Sequence, residues 1–297
     1  MRGWLKLVCV PVALLVGGCS AGTPSDTVTG QLSQTSTASA SAQPVRSSSP
    51  RASATPTASG QVGFSPSPEP TALTSVSQPL KGKLIVVDPG HNGKYSRSFN
   101  TKKVPAGNGK RKACNSSGTA GKGLSEHAYT WAQAKLLRTE LKKLGATVVL
   151  TRENDSGLGP CVNKRAKVAN DAKADLLISL HADGNVSAKA RGFHVIISTT
   201  MAGGPKLEKK SRVLATNVRA ELQRRTAMPR STYIGKGTAL SPRKDIATLN
   251  LLTQTPGVML EIGNMRHSKD LALLKSSKFR TQVAQALAQA AVETLGS

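Results

Sequence analysis

Large apolar residues are nearly missing from one long stretch of this chain and then recur in short blocks. Lys83-Leu84-Ile85-Val86-Val87 is a continuous run that ends in Asp88-Pro89-Gly90. A run of this length, stopped by a turn, reads as a strand buried on both faces, as in a parallel sheet. Residues 147–151, 175–180, 192–198 and 258–262 read as strands in the same way. Between them the apolar spacing becomes helical. Ser125 caps a helix that runs to about Lys143. Ala128, Trp131, Ala132, Leu136, Leu137, Leu141 and Leu144 recur along it at helical spacing, and Gly145 closes it. Residues 163–171 form a short helix with Ala166 and Ala169 inward, 206–225 a basic amphipathic helix, and 277–295 an Ala-rich one. The stretch from 198 to 256 holds one core helix and one strand, with no surplus helix. Strands alternating with helices predict an α/β fold: three layers, with a mixed, mostly parallel sheet flanked by helices.

The first residues read as an address. Arg2 and Lys6 precede an apolar stretch from Leu7 to Val16, too short and too Gly-broken for a comfortable membrane span. Val16-Gly17-Gly18-Cys19 then resembles a bacterial lipobox, in which Cys19 becomes the lipidated first residue. The competing reading is an ordinary secretory peptide cleaved near Ala21. Residues 20–80 are mostly Ser, Thr, Ala, Pro and Gln. Such a segment cannot bury enough surface to offset its ordering entropy, so it is expected to be a disordered tether or a glycosylated stalk. The expected organisation is a leader over 1–19, a tether over 20–80 and one catalytic domain over 81–297.

Charge narrows the partners. The formal net charge is +25, and nearly all of it lies in the last segment. A basic exported protein is drawn to polyanions. In a cell envelope these are anionic wall polymers or lipid headgroups. The leader argues against nucleic acid, and so does an aromatic content of 3%, low for a base-stacking platform. The expected location is the outer face of a bacterial membrane, held by a lipid anchor, as a monomer. Once Cys9 and Cys19 are set aside, Cys114 and Cys161 remain in an oxidising compartment. They are expected to form a disulfide, since neither has metal-type spacing.

Four stretches carry chemistry. Asp88-Pro89-Gly90-His91, Leu124-Ser125-Glu126-His127 and Ser179-Leu180-His181-Ala182-Asp183 each sit where a strand ends or a helix begins. They offer two imidazoles and a carboxylate from three elements, the ligand set of a catalytic zinc site. Val258-Met259-Leu260-Glu261 adds a carboxylate at a strand end, placed to act as a base. Sites in such sheets form at the carboxyl ends of strands. Glu126 and His127 compete for the third ligand position. They point about 100° apart on a helix, so one of them faces the site. Glu126 is preferred because it completes a His₂Glu set. Asp183 either orients an imidazole or caps its loop. Asn264 either binds substrate amide groups or shapes the turn. Arg152 and Arg165 are expected to pair with Asp155, Asp171 or Asp175, and His194 and His267 to be unrelated to the metal.

These motifs, with Leu150-Thr151-Arg152, Arg165, Ala169-Asn170 and Leu260-Glu261-Ile262-Gly263, run in the order found in the type-3 family of zinc-dependent N-acetylmuramoyl-L-alanine amidases, which the chain resembles over residues 83–297. The resemblance implies a six-stranded sheet, one zinc held by His91, Glu126 and His181, and Glu261 as the catalytic base. It implies peptidoglycan as substrate, cut between N-acetylmuramic acid and L-alanine. Rival readings are a zinc hydrolase of another amide and a non-catalytic wall-binding lipoprotein. The loop from 92 to 123 is longer and more basic than the minimal family pattern, and reads as a lid or as a clamp on an anionic strand.

Overall fold

The computed structural model describes residues 77–296. The expected leader, Cys19 and the tether up to residue 76 lie outside the described residues. Leu80 is fully buried, and its N–H donates to Leu144 O at 2.9 Å. The folded domain therefore takes in Leu80, one residue before the expected boundary at 81.

The chain opens with β1 (Leu84–Pro89). An excursion follows with a short helix α1 (Arg97–Thr101), a hairpin of β2 (Lys103–Pro105) and β3 (Arg111–Ala113), and a second of β4 (Ala120–Gly121) and β5 (Leu124–Ser125). Then come α2 (Glu126–Lys143), β6 (Thr147–Leu150), α3 (Val162–Asp171), β7 (Leu176–Asp183), β8 (His194–Ser198) and α4 (Gly204–Arg225). The chain finishes with β9 (Leu240–Arg243), α5 (Ala247–Asn250), β10 (Gly257–Asn264), α6 (Ser268–Lys275) and α7 (Ser277–Leu295). The main sheet has six strands in the order β6-β1-β7-β10-β8-β9. Only the β10–β8 pair is antiparallel. The expected mixed, mostly parallel sheet is what forms.

Alternation along the strands divides the core. Ile85, Val87, Ile178, Leu180, Val258 and Leu260 face a large cluster that includes Leu137 of α2, Leu214 of α4 and Leu287 of α7. Val86, Leu177, Ile196 and Met259 face a smaller one with Ala166 and Ala169 of α3 and Leu249 of α5. On that second face the same alternation leads onward to Asp88, to Ser179, His181 and Asp183, and to Glu261. The apolar side of the sheet thus turns polar at the carboxyl ends of its central strands.

Several elements depart from expectation. β7 and β10 run on to Asp183 and Asn264, so His181 lies inside its strand and not beyond it, and Glu261 sits three residues before the end of β10. Both strands are flanked on two sides, and the ladder sustains them past the apolar run. In α2 the buried face is Tyr129, Thr130, Gln133, Ala134, Leu137 and Leu141, while Trp131, Ala132 and Leu136 are only half-buried. An apolar count misses this face because Thr130 and Gln133 find acceptors inside, Thr130 Oγ1 donating to Gly90 O (2.8 Å) and Gln133 Nε2 to Arg280 O (3.0 Å). Ser125 holds the N-cap position of α2 but makes no side-chain cap bond. Between residues 198 and 256 there are two short elements more than expected, a 3-10 turn at Gly235–Gly237 and the single turn α5.

The excursion from 92 to 123 is anchored. Cys114 and Cys161 form the expected disulfide across a separation of 47 residues. Closing a loop of that length stabilises by about 4 kcal/mol in the chain-entropy model. Asn250 Nδ2 donates to Ala106 O (2.8 Å), Asn108 Nδ2 to Lys244 O (2.8 Å) and Lys112 Nζ to Asp245 O (3.0 Å). These ties make the β2–β3 hairpin a fixed wall and do not fit a hinged lid. Among the described residues no helix is long and apolar enough to cross a membrane.

Candidate active site

The turn that ends β1 is held by side chains from three elements. Asp88 is buried, accepts hydrogen bonds from Thr151 Oγ1 and from Ser179 Oγ (2.6 Å), and pairs with Arg165 Nη1 at 2.7 Å. Burial pushes its carboxyl up, but Arg165 and the two hydroxyls outweigh that and hold it below the usual carboxylate range. Arg165 also donates to Pro89 O (2.9 Å), His91 O (2.8 Å) and Asn92 Oδ1 (2.8 Å). Arg152 Nε donates to Pro89 O (2.9 Å), and Thr130 Oγ1 reaches Gly90 O. Every carbonyl of Pro89-Gly90-His91 is therefore fixed. The fixing is needed, because His91 has a φ of 63°, in the left-handed region that a non-glycine residue seldom occupies. A Cβ on Gly90 would lie 2.3 Å from the His181 ring, so only glycine fits there.

Arg152 takes one of its expected partners, Asp155, at 2.8 Å. Arg165 does not: its partner is Asp88, which the sheet brings against α3. Arg165→Met is expected to destabilise the domain by about 3–5 kcal/mol in denaturant unfolding, because it strands a buried carboxylate. Since folding lowers the Asp88 pKa, this contribution is full above its ordinary value of 3.8 and fades as pH falls through the folded value. A loss of under about 1 kcal/mol at neutral pH would show the pair to be idle.

Against this frame three donors converge. His91 Nε2 lies 2.9 Å from Glu126 Oε1, His181 Nδ1 lies 3.0 Å from the same oxygen, and the two ring nitrogens are 3.0 Å apart. His91 Nδ1 lies 3.0 Å from Ser116 O. In the tautomer whose Nδ1–H donates to that carbonyl, Nε2 is the acceptor turned to the cluster. Two acceptors then face each other, which a cation between them resolves. Glu126 Oε2 accepts from Thr119 N (2.9 Å) and Oε1 from Ala182 N (3.1 Å). Burial works against the Glu126 charge, yet His181 and His91 hold its carboxyl far below the usual range. Burial lowers the His181 pKa and favours the neutral, ligating form. Two imidazoles and one carboxylate in this arrangement fit a divalent metal of the zinc type. His127 instead meets Asp155 (2.9 Å), and of the two neighbours it is Glu126 that turns to the cluster.

Glu261 is paired in register with His181 across β10 and β7, so the two share a face. It lines a cavity of about 410 Å³ together with the three donors. Its Oε2 is shielded from solvent and has no hydrogen-bond partner among the described residues. Burial raises the carboxyl well above its ordinary pKa, the charges of Glu126 and Asp183 add to the rise, and Arg243 opposes it.

A family model described as N-acetylmuramoyl-L-alanine amidase matches residues 85–293. The chain belongs to that family. An N-acetylmuramoyl-L-alanine amidase of Mycobacterium tuberculosis is 39% identical over 213 residues, 70% of this chain and 84% of the relative. The apo crystal structure of an N-acetylmuramyl-L-alanine amidase from Mycobacterium abscessus superposes with a TM-score of 0.68 at 40% identity, over 73% of this chain and all of that one. An amidase structure from Clostridium difficile shares the fold at 20% identity and a TM-score of 0.56, over 72% of this chain and 97% of its own.

The remaining candidates of this amidase sort as follows. Asp183 accepts from its neighbour Gly184 N (2.6 Å) and from Tyr233 Oη (2.7 Å), so it shapes the loop and orients no imidazole. Asn264 does not face the cavity. It is fully buried, and its Nδ2 donates to Asn185 O (2.8 Å) and Ala190 O (2.7 Å), which leaves it the turn-shaping role and not substrate contact. His194 is buried against Tyr233, and desolvation lowers its pKa to about 4; His267 lies near Asp270. Neither joins the donor cluster. The α5 turn lines the cavity through Ala247 and Thr248 without filling it. Sequence reasoning missed Ser116, Thr119 and Tyr233. The first two lie in the excursion, where no periodicity marks which polar residue turns inward.

Proposed function

We propose that this amidase hydrolyses the bond between the lactyl group of N-acetylmuramic acid and L-alanine of the peptidoglycan stem peptide, with one zinc held by His91, Glu126 and His181 and with Glu261 as general base. The observation that carries this reading is the convergence of His91, Glu126 and His181 beside an unpartnered carboxylate oxygen in one cavity. Zinc, when bound, supplies Lewis-acid polarisation of a carbonyl and lowers the pKa of a water toward about 7. Glu261 takes the proton of the attacking water and returns it to the leaving amine of L-alanine. Its Oε2 has no competing donor among the described residues, which suits it to that exchange. Gly90, Arg165 and Ser116 keep the two imidazoles in place, so no reorganisation is needed as the reaction proceeds.

The leader pattern and Cys19 support an exported, lipid-anchored enzyme at the outer face of a bacterial membrane, with residues 20–80 as spacer. The excess of Lys and Arg supports attraction to anionic wall polymers. The chemistry is tested with a soluble N-acetylmuramoyl-L-alanyl peptide. Mass spectrometry is expected to show intact N-acetylmuramic acid and a peptide with a free L-alanyl amino terminus. Cleavage at another peptide bond, or loss of the sugar's acetyl group, would favour a zinc hydrolase of a different amide.

A further inference from the structure

One cation at the cavity is unused by the proposed chemistry. Lys112 lies on β3, is half-buried and lines the same cavity as Glu261. Its Nζ donates to a neutral acceptor, the backbone oxygen of Asp245, at 3.0 Å. The Asp245 carboxylate is engaged elsewhere, by Arg243 through bonds of 2.8 and 2.6 Å. No carboxylate among the described residues lies within ion-pair distance of the ammonium. The other cation of the cavity, Arg165, is taken up by Asp88. Partial burial pulls the Lys112 ammonium below the ordinary lysine range; Asp245 opposes that and Arg243 adds to it. A partly desolvated ammonium with no carboxylate in direct contact is a recognition element for an anion.

The rest of the cavity says which anion. Glu126, Asp183 and Glu261 make its reacting end acidic, and Val162, Ile246 and Met259 give it apolar wall. A substrate carboxylate is repelled from the acidic end and accepted at Lys112. Of the two sides of the scissile bond, the sugar side is neutral at the proposed cleavage site, and the peptide side carries carboxylates. The β2–β3 hairpin is tied down by the disulfide and by its bonds to Lys244, Asp245 and Asn250, so the lysine is placed in advance. We propose that Lys112 forms a carboxylate subsite for the leaving peptide. It receives the carboxylate of the residue after L-alanine and so selects a stem whose second residue is a free acid over one in which it is amidated. This inference rests on the amidase reading above.

The test compares N-acetylmuramoyl-L-alanyl-D-isoglutamate with its isoglutamine counterpart, which differ only in carboxylate against carboxamide. The full chain is expected to favour the acid in kcat/KM by about 10-fold or more, the scale of a hydrogen bond to a charged group. Lys112→Met should remove most of that preference by slowing the acid more than the amide, and Lys112→Arg should retain part of it. If Lys112→Met does not fold, the wild-type preference and its collapse in high salt decide the matter. Equal rates on both substrates, or an equal loss on both in the variant, would overturn the subsite and leave the amidase reading standing. Cleavage of neither substrate would overturn the amidase reading, and the subsite with it.

Discussion

Glu261→Gln is expected to keep its metal and to lose turnover by about 10²-fold or more. The substitution preserves shape but leaves an amide that cannot accept the water proton, and removal of a general base costs about 10²–10⁴-fold. Glu261 is not one of the three converging donors, so metal content should stay near one per domain. A second readout separates this role from a structural one. Folding raises the Glu261 pKa through burial and through the nearby charges of Glu126 and Asp183. A carboxyl whose folded pKa is raised disfavours the folded state once pH exceeds its ordinary 4.5. The Gln variant of metal-free protein should therefore be at least as stable as wild type at neutral pH, the trade expected at an active site. The combination to look for is lost kcat with an unchanged or higher Tm. Near-normal kcat would mean that another group is the base.

Loss of the metal is expected to abolish activity altogether. Chelation should bring hydrolysis of the muramoyl peptide to background, and added zinc should restore it, because the His₂Glu set holds the only cluster of metal-binding type among the described residues. His91→Ala and His181→Ala each remove one of three donors and should bind little zinc by elemental analysis, with no rescue on addition. Stability gives an independent measure. A metal that binds only the folded state stabilises it by about 4.1 kcal/mol when free zinc is 1,000 times Kd. Zinc should thus raise the Tm of wild type and of Glu261→Gln, and leave that of His181→Ala almost unchanged. Full zinc occupancy in either His variant would remove that residue from the ligand set.

Much of this protein is legible in its sequence. Burial on both faces requires unbroken apolar runs, so β1 and β10 announce themselves, and the polar residue that ends such a run must meet solvent, a partner or a metal. His91, His181 and Glu261 follow from that logic, and the pairing of Cys114 with Cys161 follows from cysteine count and the expected compartment. The partners of polar side chains do not. Which of Glu126 and His127 turns to the site depends on Asp155, 28 residues beyond His127. Arg165 meets Asp88 across 77 residues, and His91 meets Ser116 across 25. Asn264 is drawn into the core by carbonyls 79 and 74 residues away, where a side chain at the end of β10 had looked available to substrate. Local periodicity reports how much surface a residue buries, because burial is a property of one side chain and its stripe. A hydrogen bond or an ion pair is a property of two residues whose meeting depends on the whole path of the chain. The fold and the kinds of chemistry at its sheet edge were thus set by local pattern, while the wiring of the site, including the cation Lys112 at its wall, was decided by tertiary structure alone.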